Sequence, residues 1–542
     1  LRSLQETGAL ARDNGFWRTQ PGWDAEAVPP TIEELLASRI DLLSRTDASI
    51  LQTASVIGRR VQVALLQAVT KAPELERALE RLVAAGFLDP LEEEGDRRLI
   101  FHHALVQDVA YSRLLRRKRR DLHRQVADVA EAMYGSGDEV IDLLARHLYL
   151  GEAGAKAIDY LVRAGERARR LFANEEAILH FQRAAEVAAG DRAVADRLPA
   201  IQLSLADLHE FVGAYDEALS LYSEVKEGTN SIHAWSGIAS TLRKQGQYDR
   251  ALAAVEEAFA TEDLRGADLT PLWLEQGWTL SVAGRFKQAI DVLEAGLEAA
   301  PSRSHPIAGQ LLLRLARAET VEGAFGPALE YATEALEIFE TNDDLRGLVT
   351  ALRILGDVYT QSGRLDEATA ALRRGLEVAQ RVGSAEEIGG CLINLGWAEY
   401  QRGLLTEAME YDRHAIEEFE RIGHGSGRAR GYANLADKLA RSGEYEEALA
   451  WGERALELSR SIGHSLTIPD VVDTMAYIAL RKGNLGEAAA HAEEAAKLYL
   501  ELGAAPQAAG SLEIAAEAWE KQGEETRAHD SRTRARSLTP IS

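Results

Sequence analysis

The sequence predicts an all-α fold: a solenoid of about ten helix pairs, preceded by a small helical module that carries one β hairpin. Three observations predict it. A pattern of small residues recurs from Gly165 to the C-terminus, mostly at a period of 40. The composition favours helix nearly everywhere, with Ala and Glu abundant, 13 Pro and 6% aromatics in 542 residues. A chain of that length is too long for one compact core and must divide into domains or repeat a unit.

The N-terminal part reads as follows. Residues 1–45 form the end of a helical linker or lid region, closed by TIEELLASRIDLLSR, an amphipathic helix entered after Pro29-Pro30 with Thr31 as its cap. Residues 46–145 follow as a second module: helices at DASILQTASVIG, VQVALLQAV and APELERALERLVAAGFL, then a hairpin, FLDPLEEEGDRRLIF, turning at Glu94-Gly95-Asp96. Three helices and a hairpin make a winged-helix-like domain. Such domains often read DNA with the third helix. Here that helix sets Glu74, Glu76 and Glu80 against Arg77 and Arg81, and the hairpin adds Glu92, Glu93 and Glu94, so nucleic acid is not the expected partner. Arg116 to Arg120, expected on one helix with residue 103, is the strongly basic feature. It touches nucleotide, nucleic acid or an acidic partner, or it is a solvated face beside the apolar stripe of Leu114, Leu115, Leu122 and Val126.

Residues 146–542 are the repeats. The first small position is Gly165, Ala206, Ala239, Gly277, Ala316, Gly356, Gly396, Ala436, Ala476 and Ala516, and twelve residues after each stands an alanine, from Ala177 to Ala528. A turn glycine recurs between them, from Gly213 to Gly523. Antiparallel helices approach closely only where the crossing residues are small, and a glycine ends a helix cheaply in the left-handed region. This is the pattern of tetratricopeptide repeats, which build a right-handed superhelix. The 40-residue period exceeds the usual 34, so helix B is expected to be longer. Trp235, Trp273 and Leu352 are expected to pack against the neighbouring repeat, and the polar run after Gly523 to form the last, capping helix.

A partner meets the A helices along the concave wall, at the second, fifth, sixth, ninth and twelfth places of each repeat. Those places carry Arg314, Arg317, Arg353, Asp357, Asn394, Trp397, Tyr400, Arg430, Asn434, Asp437 and Tyr477, with Glu513 beyond. Asn394 and Asn434 can grip an extended peptide, since an amide donates and accepts. Trp397 is the candidate anchor and the arginines the charge readout. The partner expected in the groove is a protein or peptide, with a small ligand as the other candidate. The plain alternative for each residue is a solvated polar group.

Other classes of function fall away. The 13 histidines are scattered, and neither a zinc-protease His pair, a G-x-S-x-G elbow nor any Gly-Lys dipeptide occurs, so no catalytic residue, metal site or cofactor is expected in this chain. No stretch is apolar enough to span a membrane and the opening LRSLQETGAL lacks a signal-peptide layout, so the expected location is cytoplasmic. The one cysteine, Cys391, forms no internal disulfide and is expected to be a small buried residue. The net charge of −25 divides into −3 over residues 1–150 and −22 over 151–542, which disfavours nucleic acid and anionic membrane as partners of the repeats. The chain opens on Leu, inside an expected helix, which suggests that further sequence precedes it.

The run from VPPTIEELLASRIDLL through ILQTASVIGR to IFHHALVQDVAYSRLLRRKRRDLHRQVADVAE resembles the segment after the ATPase module in bacterial STAND-type signalling ATPases. That group includes class III adenylate or guanylate cyclase proteins, kinases, and transcription activators similar to the maltose-regulon activator, all with C-terminal tetratricopeptide repeats. The resemblance covers residues 1 to about 190 closely and the rest by repeat type. It implies a P-loop ATPase that precedes this chain and binds ATP or ADP, a winged helix that clamps the ADP-bound state, and oligomerisation on activation. The family's Phe-x-His-Ala-Leu motif is matched by Phe101, His103, Ala104 and Leu105, which implies His103 as a nucleotide sensor; a helix-capping histidine is the alternative. The function implied is a ligand- or protein-sensing regulatory region. The alternatives are an autonomous scaffold and a transcription regulator.

Overall fold

The structure is a computed structural model that describes residues 10–13, 16–19, 31–91, 97–264, 267–502 and 504–538. It divides into two compact units, residues 1–167 with 179–198, and residues 168–178 with 199–542.

In the first unit, Thr31 caps the helix Ile32–Asp41 by accepting from the Glu34 N–H at 3.2 Å. That helix ends at Asp41 instead of running on to Arg45, because Ser44 caps a new one, Arg45–Ile57, through the Asp47 N–H. The segment expected as one helix at residues 61–69 is a strand, Arg60–Gln62, followed by a helix, Val63–Thr70. The strand pairs with Arg98–Phe101, the middle strand of a three-stranded antiparallel sheet whose other edge is Leu88–Leu91. The expected turn at 94–96 lies outside the described residues. Leu51, Leu65, Leu66, Leu75, Leu79, Leu82, Phe87 and Phe101 fill the core, and Asp47 accepts both Arg81 Nε (3.0 Å) and Nη2 (2.6 Å), tying the second helix to Leu75–Ala84. A second pair of strands, Leu10–Asp13 and Phe16–Thr19, stands where a helical linker was expected. The sequence between them is Asn-Gly, the dipeptide most favoured in two-residue hairpins.

The basic run and His103 do not share a helix. Ala104–Ser112 ends, and Arg116–Tyr134 begins after Leu115, which is exposed and so leaves the apolar stripe.

Ten helix pairs follow among the described residues. The first pairs Ala155–Arg170 with Asn174–Gly190. All ten alanines of the register, from Ala177 to Ala528, are at most 2% exposed, which places them at the crossings. A side chain at Gly356 would meet Leu372 across the crossing at 2.5 Å, and Gly363 leaves the same helix at φ +77°. Trp273 packs at a tilt against Phe259 of the preceding repeat, ring centres 4.6 Å apart. The longer period lengthens both helices rather than helix B alone. The third repeat pairs Ile232–Lys244 with Tyr248–Ala260, 13 residues each, whereas the sixth pairs Leu345–Gln361 with Leu365–Val382, 17 and 18 residues. An antiparallel pair buries an added turn only if both partners supply it: Leu348 and Val349 at the start of helix A share one core with Val378 and Ala379 at the end of helix B. Cys391 is fully buried, and burial pushes its thiol up to about 12. Among the described residues no helix is long and apolar enough to cross a membrane.

Candidate functional site

The A helices of the second unit carry the candidate site. Crossings consume the small residues, so the places just before and after them project away from the core. In the fifth repeat, Pro306–Val321 presents Arg314 and Arg317; in the sixth, Arg353 and Asp357; in the seventh, Ala385–Gln401, Asn394, Trp397 and Tyr400; in the eighth, Gly425–Ser442, Arg430, Asn434 and Asp437; in the ninth, Ile468–Lys482, Tyr477. Arg317, Trp397 and Arg430 are exposed, and the others are partly buried.

Two groupings emerge. Arg353 pairs with Glu387 at 3.2 Å, and the Asn394 amide donates a long 3.5 Å bond to the Arg353 carbonyl. Asp437 pairs with Arg441 at 3.0 Å, Tyr400 and Tyr477 flank that guanidinium, and Trp397 stacks on Tyr400 at 5.5 Å. By contrast Arg314, Arg317 and Arg430 have no carboxylate within 4 Å among the described residues. Burial, with Arg317, Arg243 and Arg353 adding repulsion, pushes Arg314 down to about 9, and burial with Arg353 and Arg317 pushes Arg430 down to about 10. Arg430 is open to solvent yet crowded by surrounding protein.

The interior of the array is closed on one side. Asn174 donates to the Ile422 carbonyl at 2.8 Å, His424 lies between Phe211 (4.8 Å) and Phe419 (5.4 Å), and Tyr215 faces His464 at 6.5 Å. Asn174, Phe211 and Tyr215 of the second unit therefore touch the loops around the eighth repeat. Burial, then the charges of Lys244 and Arg430, pushes His424 down to about 3, and burial, then Arg430 and Lys244, takes His464 to about 4. A cavity of about 680 Å³ opens between the third to sixth repeats and the ninth and tenth, lined by Trp278, Arg314, Arg317, Asp357, Asp470 and Tyr499 among others.

In the first unit His103 is exposed and caps its helix, accepting from the Leu105 N–H at 3.2 Å. Of the basic run, Arg120 pairs with Glu152 at 2.9 Å and Arg119 lies over the Tyr111 ring.

A tetratricopeptide-repeat family model matches residues 307–381, 347–421 and 391–461. Residues 307–461 are tetratricopeptide repeats. An uncharacterised protein of Rhizobium meliloti (strain 1021) is 26% identical over 175 residues, 32% of this chain, and the match takes in 17% of that protein's length. Among solved structures, a Rap protein complexed with competence and sporulation factor aligns at 17% identity and a TM-score of 0.46, covering 63% of this chain and 97% of that one. A STAND protein with a tetratricopeptide repeat sensor from Pyrococcus horikoshii aligns at 16% identity and a TM-score of 0.39, covering 94% of this chain and 65% of that one.

Several residues of the tetratricopeptide interior were missing from the sequence reading. Trp278 stands at the ninth place of the fourth repeat, Arg243 at the twelfth of the third, and Asp470 at the second of the ninth, so the same places extended to every repeat find them. His424 and His464, which join repeats more than 200 residues apart, carry no local signal.

Proposed function

We propose that the repeat array is the ligand-sensing part of a signalling protein and takes a peptide or protein segment along its inner face. The observation that carries this reading is the trio of guanidiniums, Arg314, Arg317 and Arg430, which have no carboxylate within 4 Å among the described residues, with Glu275, Glu386 and Asp412 attracting Arg314 and Arg430 only from farther off. Cations are costly to hold near one another away from bulk water unless a partner repays the cost. Beside them Asn394 and Asn434 offer amides for a peptide backbone, and Trp397 on Tyr400 offers an exposed aromatic anchor.

In this reading the chain itself performs no chemistry. The winged-helix-like unit restrains a nucleotide switch of the STAND type, with His103 at the nucleotide, and ligand binding favours the open arrangement by its differential affinity for the two states. Finding a phosphate-binding loop encoded upstream of Leu1 would support that switch; finding none would leave an autonomous scaffold.

Fluorescence anisotropy with a labelled, C-terminally amidated pentapeptide pool tests the groove. The full chain is expected to bind the pool, and Asn394→Ala with Asn434→Ala to weaken binding severalfold with melting unchanged. Binding that ignores both substitutions removes the asparagines from the site, and a flat titration of the unmodified chain removes the groove.

A further inference from the structure

The 680 Å³ cavity is built differently on its two sides. On one side Trp278 is held between two guanidiniums, Arg243 at 3.5 Å and Arg314 at 3.4 Å from the ring centre. Stacking on both faces of an indole fixes the guanidinium planes and leaves their N–H edges free to donate. Arg243 spends its edge inside the protein, on Ser240 Oγ at 3.1 Å and Glu275 at 3.3 Å. Arg314 has no acceptor for its edge among the described residues, and neither does Arg317, one turn on and lining the same cavity. The chain has 86 acidic residues and a net charge of −25, yet among the described residues none forms an ion pair with these two arginines, and Glu275 attracts Arg314 only from farther off. The counter-charge is left for something that enters.

The opposite side has the complementary character. Asp470 lines the cavity and accepts the Tyr499 hydroxyl at 2.7 Å on one carboxylate oxygen. Asp470 is open to solvent at the cavity, yet crowding by the surrounding protein, then the nearby Asp473 and Asp437, raise its affinity for a proton and take it to about 6. A cation or hydrogen-bond donor relieves that wall as an oxyanion relieves the other.

We infer that this cavity binds the oxyanion end of the ligand, a carboxylate or phosphoryl group, on the stacked Arg314 and the neighbouring Arg317, with a donor group of the same ligand on Asp470. The proposal rests on the reading of the array's interior as the ligand site. Planar guanidiniums recognise both oxyanions in a fork, so the shared chemistry is what the geometry specifies. The volume lies in the range that holds a drug-sized molecule or a few residues of peptide. The free C-terminus of a short peptide fits it, and so does a small phosphorylated compound.

The experiment is ¹⁹F NMR of the full chain carrying 5-fluorotryptophan, with the Trp278 resonance assigned by its loss in Trp278→Phe. The probes are a pentapeptide pool with free C-terminal carboxylates, the same pool amidated, and inorganic phosphate. The proposal expects the Trp278 resonance to shift with the free-carboxylate pool or with phosphate, the responding probe identifying the source. It expects apparent affinity to fall at least tenfold in Arg317→Gln, an exposed substitution whose melting should match the unmodified chain, and in Asp470→Asn for the peptide pool. A shift of equal size and affinity with the amidated pool, or an affinity that Arg317→Gln leaves unchanged, overturns the oxyanion site while the peptide groove stands. No response to any probe, together with flat peptide anisotropy, overturns both.

Discussion

Two polar clusters in this chain, one buried and one facing the repeat interior, behave in opposite ways. In the N-terminal unit, Tyr111, His123 and His147 form a closed chain of hydrogen bonds. His147 donates one ring N–H to the Ile57 carbonyl, so its Nδ1 accepts from His123 Nδ1 at 2.8 Å, and His123 Nε2 accepts the Tyr111 hydroxyl at 2.8 Å. Each donor has an acceptor and both rings are neutral, burial being the main force that takes His123 down to about 4 and His147 to about 3. In the repeat interior, Arg314, Arg317 and Arg430 are charged and have no such partners. A network that satisfies itself is part of the fold; the open one is where the proposed function places a ligand, at some expense to stability.

The comparison sharpens on a third case. Asp412 and Lys438 form a buried ion pair between the seventh and eighth repeats, 2.6 Å apart, in which each charge has its opposite although neither carboxylate oxygen has a hydrogen bond. Asp412→Ala should strand Lys438 and cost about 3–5 kcal/mol, read as a lower urea midpoint, whereas Asp412→Leu with Lys438→Met should recover most of it. Next in size is the crossing register: Ala368→Trp or Ala448→Trp should overpack a helix pair and cost about 1–3 kcal/mol or more. Unchanged melting in both would contradict the register.

The neutral histidines give a smaller, pH-dependent effect. Unfolded, they charge below about 6.5, but in the fold His123 and His147 stay neutral down to about 4 and about 3. Between those limits the unfolded chain binds more protons, so stability present above pH 6.5 is lost as pH falls, by up to about 1.4 kcal/mol per unit for each ring. His424 and His464 add to the slope in the array. Urea midpoints at pH 7, 6 and 5 should show it, and His123→Phe with His147→Leu should flatten it. Smallest of all, Asn394→Ala with Asn434→Ala should leave the midpoint where it is.

The repeat register was legible in the sequence because a helix crossing imposes small residues at fixed local spacing, which is why the alanines from Ala177 to Ala528 could be placed without any coordinates. The strand Arg60–Gln62 was not, since three residues next to an apolar run are too few to show alternation. The break before Arg116 was hidden by Leu114-Leu115, which continue a helical stripe on paper while Leu115 lies in water. Within the site, the places on the A helices could be read residue by residue. Which of them keep a protein partner, as Arg353 does in Glu387, and which do not, as with Arg317, depends on neighbours from other repeats.

The central claim, that the open arginines serve a ligand and not the fold, is tested most directly by the melting temperature of Arg317→Met with Arg430→Met in the full chain. Relief of repulsion without loss of any ion pair predicts melting at or above that of the unmodified chain. A fall as large as that of Asp412→Ala would contradict it and return these arginines to the structural framework.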